Sequence, residues 1–582
     1  MFRFIKKALI NYFTFFFLLM IFVASTYYFF QRGFFLIHDY TIGVKIVEMA
    51  SGLRSLEWPV RWSAELGYGF GMPLFNFYAP LPYFFGAIFY LLGFNLVVSI
   101  KFLYLLVTLI TLIGAFKLGK RLSGNWGGII LAGALTLAPY RALNIFVRGA
   151  LSEVFAMAFF PWVILAIYQI IDSKENENKR LFKAYLLLFV SLSAIILSHN
   201  LSALMFIPLA FLWAIFIAKR KQLWSIIKVF SLSFFATAFY TLPSFLEKNL
   251  TKIDTILTGY FDYHLHFLYI RQFFQDNWGY GGSGYGANDD ISFFLGYGQL
   301  LALFLLGVLF LAQLFRAFKN HDLKKFFIRN KILFLAGFIT VFCLFLSIGR
   351  SLALWETLKV LSFIQFPWRW LGSASFFLAM FLAIGSGLLK KDIWQKIILS
   401  FLFLTFFFNA QFFKAEKVLS NSELYYYSDK QLISSEMSKT LPDYIPKQMA
   451  DELTLQDYNK KYPEASVWLN QNSTDNLIFK SQLLKSKNQS QDWKISLSEI
   501  SLINFKIANF IGWTAYVDNK KAPIIENQKL GNVQLLVPVG EHLVSLRFQE
   551  NNLRLISDYI SLVSLLIFIF WLITLKNKST NQ

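Results

Sequence analysis

The sequence predicts a polytopic α-helical membrane protein of about twelve transmembrane helices, with a β-rich domain held outside the membrane between the last two. Three observations lead there. Of 582 residues, 56% are hydrophobic and 19% aromatic, far outside the range of soluble domains. Apolar stretches near the roughly 20 residues needed to cross a bilayer recur along the chain. One hydrophilic block, about 420 to 553, stands apart from them.

The elements follow in order. "MFRFIKK" leads into an apolar run that continues to about Phe30, too long for the core of a signal peptide and without a small-residue cleavage site. It reads as an uncleaved first helix over 8–30. Further spans are expected at 96–119, 126–140, 153–171, 183–198, 201–218, 224–242, 291–315, 332–348, 367–389, 394–412 and 556–575. "PLPYFFGAIFYLLG" at 80–93 is apolar but short and opens on two prolines, so it is laid along the outer membrane surface.

Lys and Arg set the orientation, because retained positive charge marks cytoplasmic loops. "FRFIKK", "KLGKR", "DSKENENKR", "KRK", "RAFKNHDLKKFFIRNK", "KKDIWQK" and the terminal "KNK" all fall on one side of this assignment, with both chain ends. The other side is nearly balanced: Arg32, Lys45, Arg54 and Arg61 against Asp39, Glu48, Glu57 and Glu65. Three regions result: a transmembrane domain over 1–412 with an outer loop at 31–95, an extracytoplasmic β-rich domain over 413–553, and a final helix and tail over 554–582. In the second, "FKIANFIGWTAYV", "VQLLVPV" and "HLVSLRF" mix apolar runs with alternation, and "VDNKKAP" and "PVGEH" supply turns. Residues 420–475 give no clear period.

The formal charge of +21 is spread over short loops rather than concentrated on a face, which argues against nucleic acid. The single cysteine, Cys343, lies in an apolar segment, so this chain alone builds no disulfide framework or cysteine metal cluster.

"FFLIHDYTIGVKIVEM" delivers His38 and Asp39 just as the first apolar segment ends. An acid there could cap the following helix or act as a general base at the lipid–water boundary. The stretch from Glu57 to Phe85 holds four prolines, Gly67, Gly69 and Gly71, and ten interleaved aromatic residues, a composition suited to the headgroup layer.

"HDY" and "GLRSLEWPVRWSAELGYGFGMPLFNFYAPLPYFFGAIFYLLG" resemble the first outer loop of the bacterial membrane-protein family labelled 6-pyruvoyl-tetrahydropterin synthase-related. That family is similar in turn to the YfhO-type proteins of the GT-C glycosyltransferase superfamily. The likeness continues through "GKRLSG", "APYRALNIFVRGALSEVFAMAFFPWVIL", "LSHN", "FPWRW", "GWTAYVDNKKAPI" and "PVGEHLVSLRF". It implies a GT-C-like multispan enzyme of the bacterial plasma membrane that takes a sugar from a polyprenyl-phosphate donor. Asp39 then becomes the general base. Many GT-C enzymes carry two neighbouring acids in this loop, whereas Tyr40 and Thr41 follow Asp39 here, so a divalent metal has no support and no cofactor is expected.

Glu153 is the candidate second acid, and Arg148, five residues before it, a phosphate ligand through its planar fork. The pair could equally neutralise a helix end. Arg369 in "FPWRW" sits where a lipid phosphate would arrive, or simply snorkels; Arg61 in "VRW" is a weaker case, and Arg141 weaker still. His38 and His199 are candidate substrate contacts, the latter in a polar hinge with Asn200. His264 and His266 lack a third ligand for a metal. The glycine-rich 279–290, with Asp289 and Asp290, does not open a lysine-bearing helix and is no phosphate cradle.

The function expected is an integral membrane glycosyltransferase acting on an extracytoplasmic glycan, lipid or protein acceptor, amid membrane lipids. Two alternatives stand beside it: a transporter or flippase of lipid-linked glycan, and a non-catalytic scaffold for cell-surface polymer assembly. Coupled transport usually needs charges within the membrane, and the spans are nearly free of them, with Lys101 and Asp558 near span ends.

Overall fold

The computed structural model describes residues 2–174, 177–389, 393–420, 429–461, 466–469 and 478–577. Residues 175–176 and 390–392, which fall within two of the expected cytoplasmic loops, parts of the region between 420 and 478 and the tail beyond 577 lie outside them.

Among the described residues, eight helices are long and apolar enough to cross a membrane, and ten if each of two bent pairs counts as one crossing. Helix α1 (Phe2–Thr26) is followed by α2 (Ile42–Arg54), the one-turn α3 (Leu74–Phe77) and α4 (Leu81–Leu91). Then come α5 (Leu96–Thr136), α6 (Pro139–Phe146), α7 (Leu151–Ala158), α8 (Phe160–Asp172), α9 (Asn178–Ser198), α10 (Asn200–Ile217), α11 (Arg220–Ala236) and α12 (Ala238–Leu246). After a long irregular stretch, α13 (Tyr297–Lys319), α14 (Leu323–Arg329), α15 (Lys331–Leu346), α16 (Leu352–Thr357), α17 (Leu371–Ser386) and α18 (Ile393–Phe406) complete the bundle.

The count of eight or ten takes α5 as one crossing, whereas the sequence places two of its twelve expected spans there. The 41 residues of α5 break at Ser123 and Gly124, where Gly124 has φ 74° and ψ −167°. Beyond the break the chain returns on itself. Gly128 lies against the Phe116 ring and Gly127 against the Ser123 side chain, with no room for a Cβ at either. The two expected spans, 96–119 and 126–140, are thus the arms of one hairpin. Bends of 65° between α11 and α12 and 70° between α14 and α15 divide two others. α4, with 11 residues, is about 16 Å long, half a bilayer, and Gly86 lets it press against Ile46 and Leu103.

Beyond α18 the chain is strand-rich. β1 (Phe34–Phe35) pairs antiparallel with β2 (Val418–Leu419), far apart in sequence. Then α19 (Lys430–Leu432) and α20 (Glu452–Lys461) precede β3 (Val467–Leu469), β4 (Phe479–Lys487), β5 (Ser490–Leu497), β6 (Ser501–Ala508), β7 (Trp513–Val517), β8 (Lys520–Ala522), β9 (Ile525–Glu526), β10 (Asn532–Val537) and β11 (Gly540–Phe548). They form antiparallel sheets ordered β3-β6-β10-β9 and β4-β5-β11-β7-β8. The β7–β8 turn, read from "VDNKKAP", holds Asp518 and Asn519 at φ 49° and 64°, the left-handed pair a tight hairpin needs. Helix α21 (Asn552–Asn577) then returns to the bundle, stacking Phe568 on Phe189 of α9 at 3.9 Å between centroids.

The outer loop packs on this strand-rich region. Trp62 meets Trp513 edge-on at 5.3 Å and Phe548 at 5.1 Å, Ala508 N–H donates to Phe70 O at 2.7 Å, and Gln489 N–H donates to Glu57 at 3.0 Å. Beneath them lies a buried ionic network. Arg61 donates to Glu550 (2.6 Å), Asp558 (2.9 Å), Asn76 (3.2 Å) and the Phe239 carbonyl (3.0 Å), while Glu247 accepts from Asn76, Asn551 and Arg554. Pairing and hydrogen bonding of this kind offset the cost of burying charge. The network pins the loop, α12 and α21 to one another.

Candidate active site

Four stretches meet at one end of the bundle: the segment after α1, the turn between α6 and α7, the α9–α10 junction and the turn before α17. The first two pair through backbone. His38 N–H donates to Val147 O and Asp39 N–H to Arg148 O, each at 2.9 Å. Gly149 permits the approach: at φ 66° it abuts Ile37, leaving no space for a side chain.

Asp39 uses its two oxygens differently. Oδ1 accepts from the Thr41 backbone N–H (3.2 Å) and hydroxyl (2.5 Å) at the start of α2, and from Lys45 (3.3 Å). Oδ2 accepts from Lys45 alone, at 3.2 Å. The Asp39 side chain keeps 30% exposure, while Lys45 has 1%. Lys45 Nζ also lies 4.1 Å from the Tyr78 ring centre. Burial opposes the Lys45 charge, but Asp39 and Tyr78 outweigh it and hold the ammonium above the ordinary lysine range.

Glu153, in the first turn of α7, is buried and accepts from the Tyr140 hydroxyl (2.6 Å), the Asn144 amide (3.2 Å) and Arg148 (2.8 Å). The Arg148 guanidinium rests over the Trp368 ring, 4.5 Å from its centre. Arg369 donates to Ile364 O (2.7 Å) and Gln365 Oε1 (3.0 Å), and its Nε is buried without a partner. Gln365 holds φ 63°, a strained value for a non-glycine residue, with its amide on Ile256 O. His199 caps α10 by accepting from Ser202 N–H at 3.2 Å and lies within electrostatic reach of Glu153, Arg369 and Arg148. The cluster therefore sets three cations, Lys45, Arg148 and Arg369, against two anions, Asp39 and Glu153.

Not every residue singled out from sequence joins it. Arg61 belongs to the separate buried network, saturated by Glu550 and Asp558. His38 is at the rim, its Nε2 on the Tyr280 carbonyl at 2.8 Å. Arg141 is buried on Thr108 (2.7 Å) with Nη1 unpartnered. His264 and His266 are not on a strand: His264 pairs with Asp262 at 2.6 Å in a tight turn, and His266 points inward. Asp289 holds its own loop, accepting from Gly284 N–H and Gln272. Among the described residues no three His, Cys, Asp or Glu side chains gather as metal ligands.

Sequence reasoning passed over the tyrosines. Tyr83 hydrogen-bonds Ser152 at 3.1 Å, and Tyr78 packs edge-on to Tyr83 and Tyr444 at 5.6 and 5.7 Å. Tyr444 arrives from the strand-rich region, its neighbours clipped to the bundle by Lys252 N–H donating to Ile445 O (3.0 Å) and Lys447 N–H to Leu250 O (2.9 Å). Lys45 had a signal: a lysine inside the apolar "GVKIV" must find an acid when the helix is buried.

Comparison with known proteins leaves the chain outside any matched family. No family model matches it, so neither the pterin-synthase-related nor the YfhO-type name finds support there. No curated protein matches it. Among solved structures it is similar to the arabinofuranosyltransferase AftD from Mycobacteria, at 13% identity and a TM-score of 0.41, over 69% of this chain and 26% of that one. A mutant form of AftD gives 13% identity and a TM-score of 0.36, over 69% and 27%. The chain thus spans about a quarter of the length of these proteins. What the sequence and fold establish is a multi-pass helical membrane protein with a strand-rich C-terminal region.

Proposed function

We propose that this protein is an integral membrane glycosyltransferase of the GT-C kind, moving a sugar from a polyprenyl-phosphate donor to an acceptor outside the cytoplasm. The observation that carries the reading is the unbalanced cluster: a partly exposed carboxylate, Asp39, on a segment whose backbone pairs with that of Arg148, and two arginines of which Arg369 has no acidic partner within ion-pair distance among the described residues. One excess positive charge at the end of the spans suits a phosphodiester whose lipid tail stays in the bilayer.

In this reading Arg369 and Arg148 bind the donor phosphate and stabilise the charge that grows on it as the sugar–phosphate bond breaks. Asp39 Oδ2 takes the proton from the acceptor hydroxyl as that oxygen bonds to the sugar carbon. Lys45 holds Asp39 in place through both carboxylate oxygens. Glu153, buried under three donors, holds Arg148 in place rather than carrying protons. The strand-rich region and both loops lie on the outer face, and the chain ends on the cytoplasmic one.

The engagement of Asp39 Oδ1 at the start of α2 favours a purely structural Asp39, and with it the scaffold alternative. Asp39→Asn decides between them. It keeps the Thr41 contacts but leaves Lys45 a buried cation, which costs stability; adding Lys45→Met removes that charge, so the double variant inserts and stays folded while sugar transfer in proteoliposomes falls by about 10²–10⁴-fold. Undiminished transfer in that variant removes Asp39 as the base. Movement of labelled lipid-linked glycan across the bilayer without covalent change would make the protein a flippase.

A further inference from the structure

The glycine-rich segment 279–290 is left unused by the mechanism above, yet it meets the site from behind. Ser283 and His266 are both buried there. His266 Nε2 lies 2.5 Å from the Tyr260 carbonyl, and its Nδ1 lies 2.8 Å from Ser283 Oγ. Trp368 Nε1 lies 3.1 Å from that same hydroxyl oxygen. The other side of the relay is Arg148, stacked over the Trp368 ring.

These contacts have only one consistent polarity. A carbonyl can only accept, so Nε2 of His266 carries the proton and Nδ1 of the neutral ring is an acceptor. Ser283 therefore donates to Nδ1, which leaves its lone pairs for the indole N–H of Trp368. We infer that Ser283 is a positioning residue for Arg148, acting through Trp368, and that protonation of His266 uncouples the relay and lowers transfer. The inference rests on the glycosyltransferase reading for its activity, but not for its geometry.

The chemistry of the switch is a reversal of one hydrogen bond. A proton on Nδ1 makes it a donor to Ser283 Oγ, which then receives from both the imidazolium and the indole while its own hydrogen has no acceptor among these groups. The charge would also be buried against the rings of Phe366 (4.6 Å) and Tyr260 (5.0 Å). The charged groups facing His266 are Asp289 and Asp262, which favour its protonation, and Arg369, which opposes it. Burial prevails and keeps the imidazole below its ordinary range, so the relay is intact at neutral pH.

Close backbone packing accounts for the glycines of this segment. Gly281 N–H donates to Asp290 O, and Asp290 N–H donates to Gly282 O, each at 3.1 Å. Gly279 and Gly281 both abut Asp290 so closely that a Cβ would collide with it. This tight ladder fixes Ser283 at its end.

The test uses the full chain in lipid nanodiscs with 5-fluorotryptophan, the Trp368 fluorine signal being identified by its loss in Trp368→Phe. The wild-type signal is expected to shift in one step on the acid side of the ordinary histidine range, and the step to vanish in His266→Gln and Ser283→Ala but persist in Ser283→Thr. Transfer by wild type should fall with the same midpoint. Ser283→Ala should lose about tenfold in kcat, as expected for a displaced transition-state ligand, with Ser283→Thr within about twofold of wild type. Absence of a fluorine step in wild type overturns the relay whatever the activity. A step accompanied by full activity in Ser283→Ala overturns the positioning role. An intact step in a wild-type protein that transfers no sugar to any acceptor overturns the glycosyltransferase reading and leaves the relay standing.

Discussion

Glu153→Gln isolates the ion pair at the heart of the site. The carboxylate accepts from Tyr140, Asn144 and Arg148, and the pair is nearly dry, with 2% exposure at Glu153 and 11% at Arg148. Glutamine fills the same volume but carries no charge, and its amide NH₂ must face one of three donors. Arg148 is left a buried cation with Arg369 nearby, which costs about 3–5 kcal/mol. For 582 residues unfolding together, an unfolding entropy of ~2.1 cal/mol/K per residue amounts to ~1.2 kcal/mol/K, so Tm should fall by about 3–4 °C. Scanning calorimetry in nanodiscs reads this directly. Adding Arg148→Met removes the orphaned charge and keeps a sulfur contact with the Trp368 ring, so the double variant should regain more than half of the loss. An unchanged Tm in Glu153→Gln, or a double variant less stable than the single one, would refute the assignment of this pair as a buried, mutually dependent unit.

Glu48 gives a pH signature. It is buried in α2 beneath Ser63 and Ala64, and burial raises its carboxyl to about 7; the unfolded chain sheds this proton first, so stability falls between about pH 4.5 and pH 7 by ~3 kcal/mol. Chemical denaturation across that range should show the loss in wild type and a flatter profile in Glu48→Gln. Arg61→Met leaves Glu550 and Asp558 without their shared cation and should destabilise by about 3–5 kcal/mol, read as faster proteolysis of the outer loop; unchanged cleavage would separate the loop from α21. Arg369→Ala should raise the donor KM at least tenfold, since a charge-assisted contact to phosphate contributes about 1.5–3 kcal/mol, and leave the acceptor KM within about twofold; an equal effect on both would remove Arg369 from the phosphate.

Much of this architecture was written in apolar runs, which show a bilayer solvent directly. The breaks were harder. Helix α5 reads as two spans because "SGNWGG" interrupts it, yet whether such a gap bends, breaks or reverses a helix is decided by what packs there, here Gly119 against the Gly127 carbonyl and Gly128 against Phe116. Strands β6, β7, β10 and β11 were legible because their apolar faces alternate or run on, whereas exposed β4 has few buried positions to advertise it. Within the site, Arg148 and Glu153 sit five residues apart and could be paired from spacing alone. Arg61 could not be told from them, because its partners Glu550 and Asp558 come from the other end of the chain. Tyr444 was invisible for the same reason: its place beside Tyr78 is made by long-range backbone contacts that leave no local pattern.

The two-residue ladder between Phe34–Phe35 and Val418–Leu419 also imposes a timetable on biogenesis. The aromatic pair leaves the ribosome long before its partner strand does, and at ~5–20 residues per second the delay is about 20–80 s. Through that interval an unpaired edge flanked by Asp39 waits beside half-built helices, so insertion machinery or lipid must shelter it. A nascent polypeptide halted just before Val418 would own every membrane-length helix but α21 and still lack the partner strand of Phe34–Phe35.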